Sequence, residues 1–156
     1  MAGEAVRFGK PDLVRFSVNP TQSTVTTRLL GGRRGELPTV HPNCTGRPYT
    51  FVWSTVASDE SGSHLYTGIQ KLNVATGEST CVDLAPDLPG EALFVPRPNA
   101  TAEDDGWVLT LVYRSDAHRS DLVVLDAATL ETRCILPLPH HVPLGFHSTW
   151  VEAASL

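Results

Sequence analysis

A carboxylate that accepts the N–H of an imidazole decides which ring nitrogen carries the proton, and it leaves the other nitrogen's lone pair for a metal. The chain holds these ingredients at a regular interval. Glu36 lies in Gly35-Glu36-Leu37-Pro38, and Glu91 follows 55 positions later in Gly90-Glu91-Ala92-Leu93-Phe94-Val95. His147, in Val142-Pro143-Leu144-Gly145-Phe146-His147-Ser148-Thr149-Trp150, comes a further 56 positions on. A lone histidine in an apolar stretch is more often a packed side chain than a ligand. This one shares its spacing with two acids that head short apolar runs. The three read as one structural position in successive repeat units, and as part of a metal site.

Such a constellation needs a repetitive scaffold, and the rest of the chain offers one. The 156 residues are enough for one ordinary domain with a sizeable core, and 41% hydrophobic with 19% charged residues is the balance of a globular protein. The net charge of −5 argues against nucleic acid as a partner. No apolar run approaches the roughly 18 residues of a membrane span, and the first residues lack the charged start and apolar core of a secretion signal. Cys44, Cys81 and Cys134 are odd in number and have no CxxC spacing, which disfavours a disulfide framework or a zinc site. These features predict an intracellular protein, of cytoplasm or plastid, with reduced thiols.

Helical periodicity is nearly absent. Short runs rich in Val, Thr, Leu and aromatics alternate with clusters of Gly, Pro, Asn, Asp and Ser, the pattern of strands and turns. Strands are predicted over 13–18, 25–30, 36–40, 48–56, 65–74, 78–84, 91–96, 107–114, 121–126 and 130–138, with a polar turn at 58–63. Three ten-residue segments, starting at Phe16, Leu72 and Leu125, align without gaps at offsets of 56 and 53. Cys81 and Cys134 coincide in that alignment and are predicted to be buried strand residues.

Four strands per unit of about 50 residues is the period of a β-propeller blade. Inner strands line the central channel, so the starts of successive inner strands converge on the axis, carrying Glu36, Glu91 and His147 together. The fold class predicted is all-β, a partial propeller: two full blades, the outer half of one before them, and an inner strand after them. Because closure takes about four to eight blades, residues 1–156 are expected to be the C-terminal portion of a single propeller domain in a longer protein.

Four separated segments, in order, resemble the closing motifs of the carotenoid cleavage oxygenases. They are Gly90-Glu91-Ala92-Leu93-Phe94-Val95-Pro96, then Glu103-Asp104-Asp105-Gly106-Trp107, then 122–127, then Val142-Pro143-Leu144-Gly145-Phe146-His147. Glu36-Leu37-Pro38 and Gly46-Arg47-Pro48-Tyr49 resemble an earlier motif. The resemblance runs from about residue 12 to residue 150. It implies a seven-bladed propeller holding Fe(2+) on its axis through four histidines, with three glutamates accepting hydrogen bonds from ligand rings. By that resemblance His147 is the last iron ligand, and Glu36 and Glu91 are two of the glutamates. His41, His64, His118, His140 and His141 match no ligand motif and are predicted at the surface. Asp104-Asp105-Gly106 reads as a turn into Trp107 rather than a calcium loop. Two departures from the family pattern are Ala92 in place of proline and Ser148 in place of glycine, the latter expected to crowd the inner strand.

The resemblance further implies an iron(II) dioxygenase that cleaves a conjugated C=C bond of a carotenoid, apocarotenoid or stilbene-like molecule into two carbonyl products. Its partners would be dioxygen and an apolar conjugated substrate. Peripheral membrane contact, if any, would run through parts outside this chain. The competing expectation is a non-catalytic propeller fragment or partner-binding module, because three of four expected iron ligands are missing. A WD- or kelch-type scaffold lacks its repeat signatures here. The chain alone is expected to be inactive.

Overall fold

The computed structural model describes residues 11–57 and 65–152. His64 and the 58–63 turn lie outside them. The apolar–polar alternation builds an antiparallel meander in three sheets. The first is a two-stranded hairpin of β1 (Val14–Asn19) and β2 (Thr24–Leu29). A four-stranded blade follows, with β3 (Gly35–Thr39), β4 (Phe51–Val56), β5 (Gly68–Asn73) and β6 (Ser79–Asp83) in chain order. In the second blade, β7 (Leu88–Pro89) and β8 (Leu93–Pro96) both pair with β9 (Gly106–Arg114), so they are two halves of one interrupted inner strand. β10 (Arg119–Asp126) and β11 (Thr132–Pro137) complete it. Two consecutive four-stranded meanders and a flanking hairpin make this a partial β-propeller. Among the described residues no helix is long and apolar enough to cross a membrane.

The repeated ten-residue segments are the turns that set each hairpin's register. Asn73 Oδ1 accepts from the Ala75 and Thr76 amides, and Asp126 Oδ1 from those of Ala128 and Thr129. Each side chain closes its own turn, as Asx residues do. Four residues on, Gly77 (φ 80°) and Leu130 (φ 61°) occupy the left-handed region. In the first hairpin Asn19 plays this part, accepting from Gln22, with Ser23 at φ 51°. The equivalent positions are therefore 19, 73 and 126, so the gapless offset of 56 between the first two copies is two residues too long.

The two blades pack face to face around Trp53, which is fully buried and stacked on Phe94 with ring centroids 4.5 Å apart. Ile69, Val108, Val112, Val123 and Leu125 surround the pair. The Trp53 indole N–H donates to the Ala127 carbonyl at 3.0 Å, so the polar atom of this ring also finds its partner across the blades. Truncating an aromatic of this size in a core costs about 3–5 kcal/mol. A smaller cluster of Leu13, Leu30, Val52, Leu72 and Val74 seats the hairpin on the first blade. The rest of the hairpin is open: Phe16 and Val18 are 65% and 67% exposed.

Two expectations need correction. Cys81 is half-buried and Cys134 is exposed, because β6 and β11 are the outermost strands of their blades and have no neighbour on their far side among the described residues. The inner strand expected around His147 is instead a strap outside the ladders. An inner strand pairs with the next strand of its own blade, and among the described residues no strand follows β11.

Candidate metal centre

Both candidate carboxylates sit where an inner strand leaves its ladder. β3 pairs regularly with β4 at Gly35 and Glu36, then slips before Thr39, with Leu37 at φ 53°. That conformation costs a non-glycine residue roughly 1–2 kcal/mol and turns the strand aside. Gly35 is required by the approach of β4, since a Cβ there would lie 2.0 Å from the Thr55 carbonyl oxygen. In the second blade the same break separates β7 from β8, with Glu91 in the gap. A threonine on the adjacent strand caps each break: Thr55 Oγ1 donates to Glu36 O at 3.0 Å, and Thr110 Oγ1 donates to Gly90 O at 3.1 Å. These threonines are 55 residues apart, the interval of the two glutamates, and that coincidence was open to sequence reasoning that missed it.

Glu91 and His147 are brought together. The Glu91 carboxylate, 9% exposed as a residue, sets Oε1 3.0 Å from His147 Nδ1, and its Oε2 accepts the Ser148 backbone N–H at 2.5 Å. A carboxylate is an acceptor, so Nδ1 is the protonated ring nitrogen and Nε2 keeps its lone pair. The His147 side chain is 76% exposed. Ser148 is exposed and its amide is engaged, so the crowding expected of it does not arise. Ala92, completely buried in the inter-blade core, fits where proline was expected.

Glu36 is exposed and meets a different partner. With Tyr66, Leu144 and Phe146 it lines a cavity of about 140 Å³. Burial first, then the Glu36 charge and a hydrogen bond to its carboxylate, push the Tyr66 phenol up to about 12. Nothing in the sequence pattern marked Tyr66, which stands two residues before β5.

The remaining histidines divide. His41 is buried against Phe94, with ring centroids 5.0 Å apart, and its Nδ1 accepts from the Asn43 amide at 3.1 Å, so its predicted surface position is wrong. It caps a short 3-10 turn, which places the imidazole inward. His118, His140 and His141 are exposed as expected. The acidic turn is occupied by protein partners: Glu103 accepts from the Thr50 and Phe51 amides, Asp104 pairs with Lys71, and Asp105 pairs with Arg97. Among the described residues no three His, Cys, Asp or Glu side chains are grouped to hold a metal. The donor chemistry of His147 fits one ligand of an iron(II) site; it does not make a complete set.

Known proteins are similar to this chain in sequence and fold. A family model described as retinal pigment epithelial membrane protein (RPE65) matches residues 3–152. The apocarotenoid-15,15'-oxygenase of Synechocystis is 41% identical over 143 residues, which cover 90% of this chain and 29% of that protein. A carotenoid cleavage oxygenase of Mycobacterium tuberculosis is 35% identical, over 90% of this chain and 29% of its own length. Resveratrol cleavage oxygenase 1 of Botryotinia fuckeliana is 33% identical over 76% of this chain and 23% of its own. A cobalt-substituted Synechocystis apocarotenoid oxygenase superposes with a TM-score of 0.86 at 40% identity, over 92% of this chain and 31% of that one. The chain spans less than a third of the length of these relatives.

Proposed function

The chain belongs to the RPE65/carotenoid cleavage oxygenase family, and from that premise we propose that it is the C-terminal part of one propeller domain in a non-haem iron(II) dioxygenase. The substrates proposed are dioxygen and an apolar conjugated molecule (a carotenoid, apocarotenoid or stilbene-like compound), cleaved at a C=C bond to two carbonyl products. The observation that carries this reading is His147, held at Nδ1 by Glu91 so that Nε2 keeps its lone pair.

Fe(2+), held in part by His147, would supply the chemistry that activates dioxygen. This chain's residues would do the positioning. His147 offers one nitrogen, and Glu91 holds the proton on the other and ties down the next peptide. Glu36 is the corresponding acceptor one blade earlier, for a ligand ring supplied by another part of the protein. Leu144 and Phe146, largely exposed here, would form apolar wall beside the centre and keep water from it.

The test is metal analysis and product identification on the complete protein, offered an apocarotenoid and a stilbene. Bound iron with paired carbonyl products is expected. A complete, folded protein that takes up no iron would end this reading. It would favour the second one, a non-catalytic module, for which the open apolar face at Phe16 and Val18 and the lack of a grouped set of metal donors among the described residues speak.

A further inference from the structure

The strap from 138 to 150 carries His147 yet is poorly held by packing. Leu144, Phe146 and Trp150 are all at least half exposed, and the strap arches over a cavity of about 180 Å³ lined by Leu111, Tyr113 and Ser120 beneath it. Pro139 and Pro143 remove two amides that could have anchored it. Polar contacts therefore set its course. One anchor is Glu91, at His147 and Ser148. The other is Ser120 on β10, 1% exposed. Its Oγ accepts the Val142 amide at 3.0 Å and donates to the Val142 carbonyl at 3.2 Å, while its carbonyl accepts the Leu138 amide at 3.0 Å. A single hydroxyl thus satisfies both backbone groups of Val142, standing in for the neighbouring strand the strap lacks. His141 adds an edge-on contact to Tyr113 at 5.2 Å.

We propose that Ser120 is a positioning residue for the metal centre, clamping the strap at Val142 so that His147 meets Glu91 in a ligating orientation. This rests on the iron reading above. Val142 is five residues from His147, close enough for a slip at one end to move the ring, and far enough for Ser120 to touch no metal.

The test compares Ser120→Ala and Ser120→Thr with the wild-type complete protein, reading Val142 amide exchange, affinity for iron(II), the visible spectrum of cobalt(II) in its place, and melting temperature. Loss of two half-buried hydrogen bonds should expose the Val142 amide and lower metal affinity roughly tenfold in Ser120→Ala. The cobalt bands should shift. Ser120→Thr keeps the hydroxyl at a position that borders the cavity, so it should restore all three readings. Wild-type exchange and metal affinity in Ser120→Ala would overturn the inference. Equal damage in both variants, tracking melting temperature alone, would reduce Ser120 to a packing residue and also overturn it. A wild-type protein that binds no metal would sink the iron reading itself, and is recognised before either variant is made.

Discussion

Glu91 and Glu36 occupy matching breaks in successive inner strands, each beside a threonine that caps the break, yet their surroundings differ. Glu91 is buried, with one oxygen on an imidazole and the other on a peptide N–H. Glu36 is exposed and has the Tyr66 phenol. The blade creates the position, but the partner arrives from elsewhere in the chain. For Glu91 that partner is a segment 56 residues downstream. The tyrosine beside Glu36 is what the local connection provides. A repeat can thus present the same acceptor several times while each copy's role is decided by what is laid across it.

Removing the histidine should have the largest effect. His147→Ala in the complete protein is expected to abolish iron binding and cleavage, while His140→Ala and His141→Ala, both exposed outside the break, leave both near normal. Metal content and melting on the three variants decide it. Retained iron with a lowered melting point would mean that His147 only packs.

Next come the carboxylates themselves. Glu91→Gln keeps one acceptor but puts an amide N–H against one of two donors, and should cost about 10–100-fold in iron affinity. Glu36→Gln should cost a comparable amount through a ligand from another part of the protein. The distinguishing measurement is the His147 ring in an NMR spectrum: its Nδ1–H signal should change in Glu91→Gln and stay put in Glu36→Gln. Equal ring shifts in both would erase the contrast.

The smallest effect expected is at Tyr66. Its acidity is weakened in the folded state relative to an ordinary phenol near 10, so its contribution is fully present below pH 10 and is lost as pH rises toward about 12. Tyr66→Phe has no phenol to ionise and should lack that part of the alkaline decline. The melting curves of the two proteins should therefore converge across this window. Parallel curves would show that the phenol does not lean on Glu36.

The strands and the blade period were legible because they rest on local alternation and on a regular interval; that interval called for Glu36, Glu91 and His147 to converge, but which carboxylate meets the histidine comes from the strap's course and not from the spacing. The two-residue error in the first hairpin had a physical cause. Its turn is headed by Asn19, while the matching asparagine and aspartate of the other copies align with Ser17 in an ungapped comparison. His41 was misread because burial against Phe94 is a contact between blades, invisible in the polar sequence around it. Cys81 and Cys134 were read as buried because they coincide in the repeat, but an outermost strand leaves even apolar side chains in water. Tyr66 and Ser120 could not be found by pattern, since a phenol just before a strand and a serine in one acquire meaning only from the distant groups they meet, Glu36 and Val142.

Glu103 bears on how such a protein can be divided. It stands in the second blade, but its carboxylate receives the amides of Thr50 and Phe51 where the first blade's β4 begins, and Asp104 beside it pairs with Lys71. A gene cut between the blades, or a proteolytic nick followed by separation, would strip those amides and the Trp53 indole of their acceptors at once. Repetition in the sequence is therefore no guide to interchangeable parts. A shuffled or duplicated blade would need to bring its acidic turn with it, matched to the blade on its upstream side.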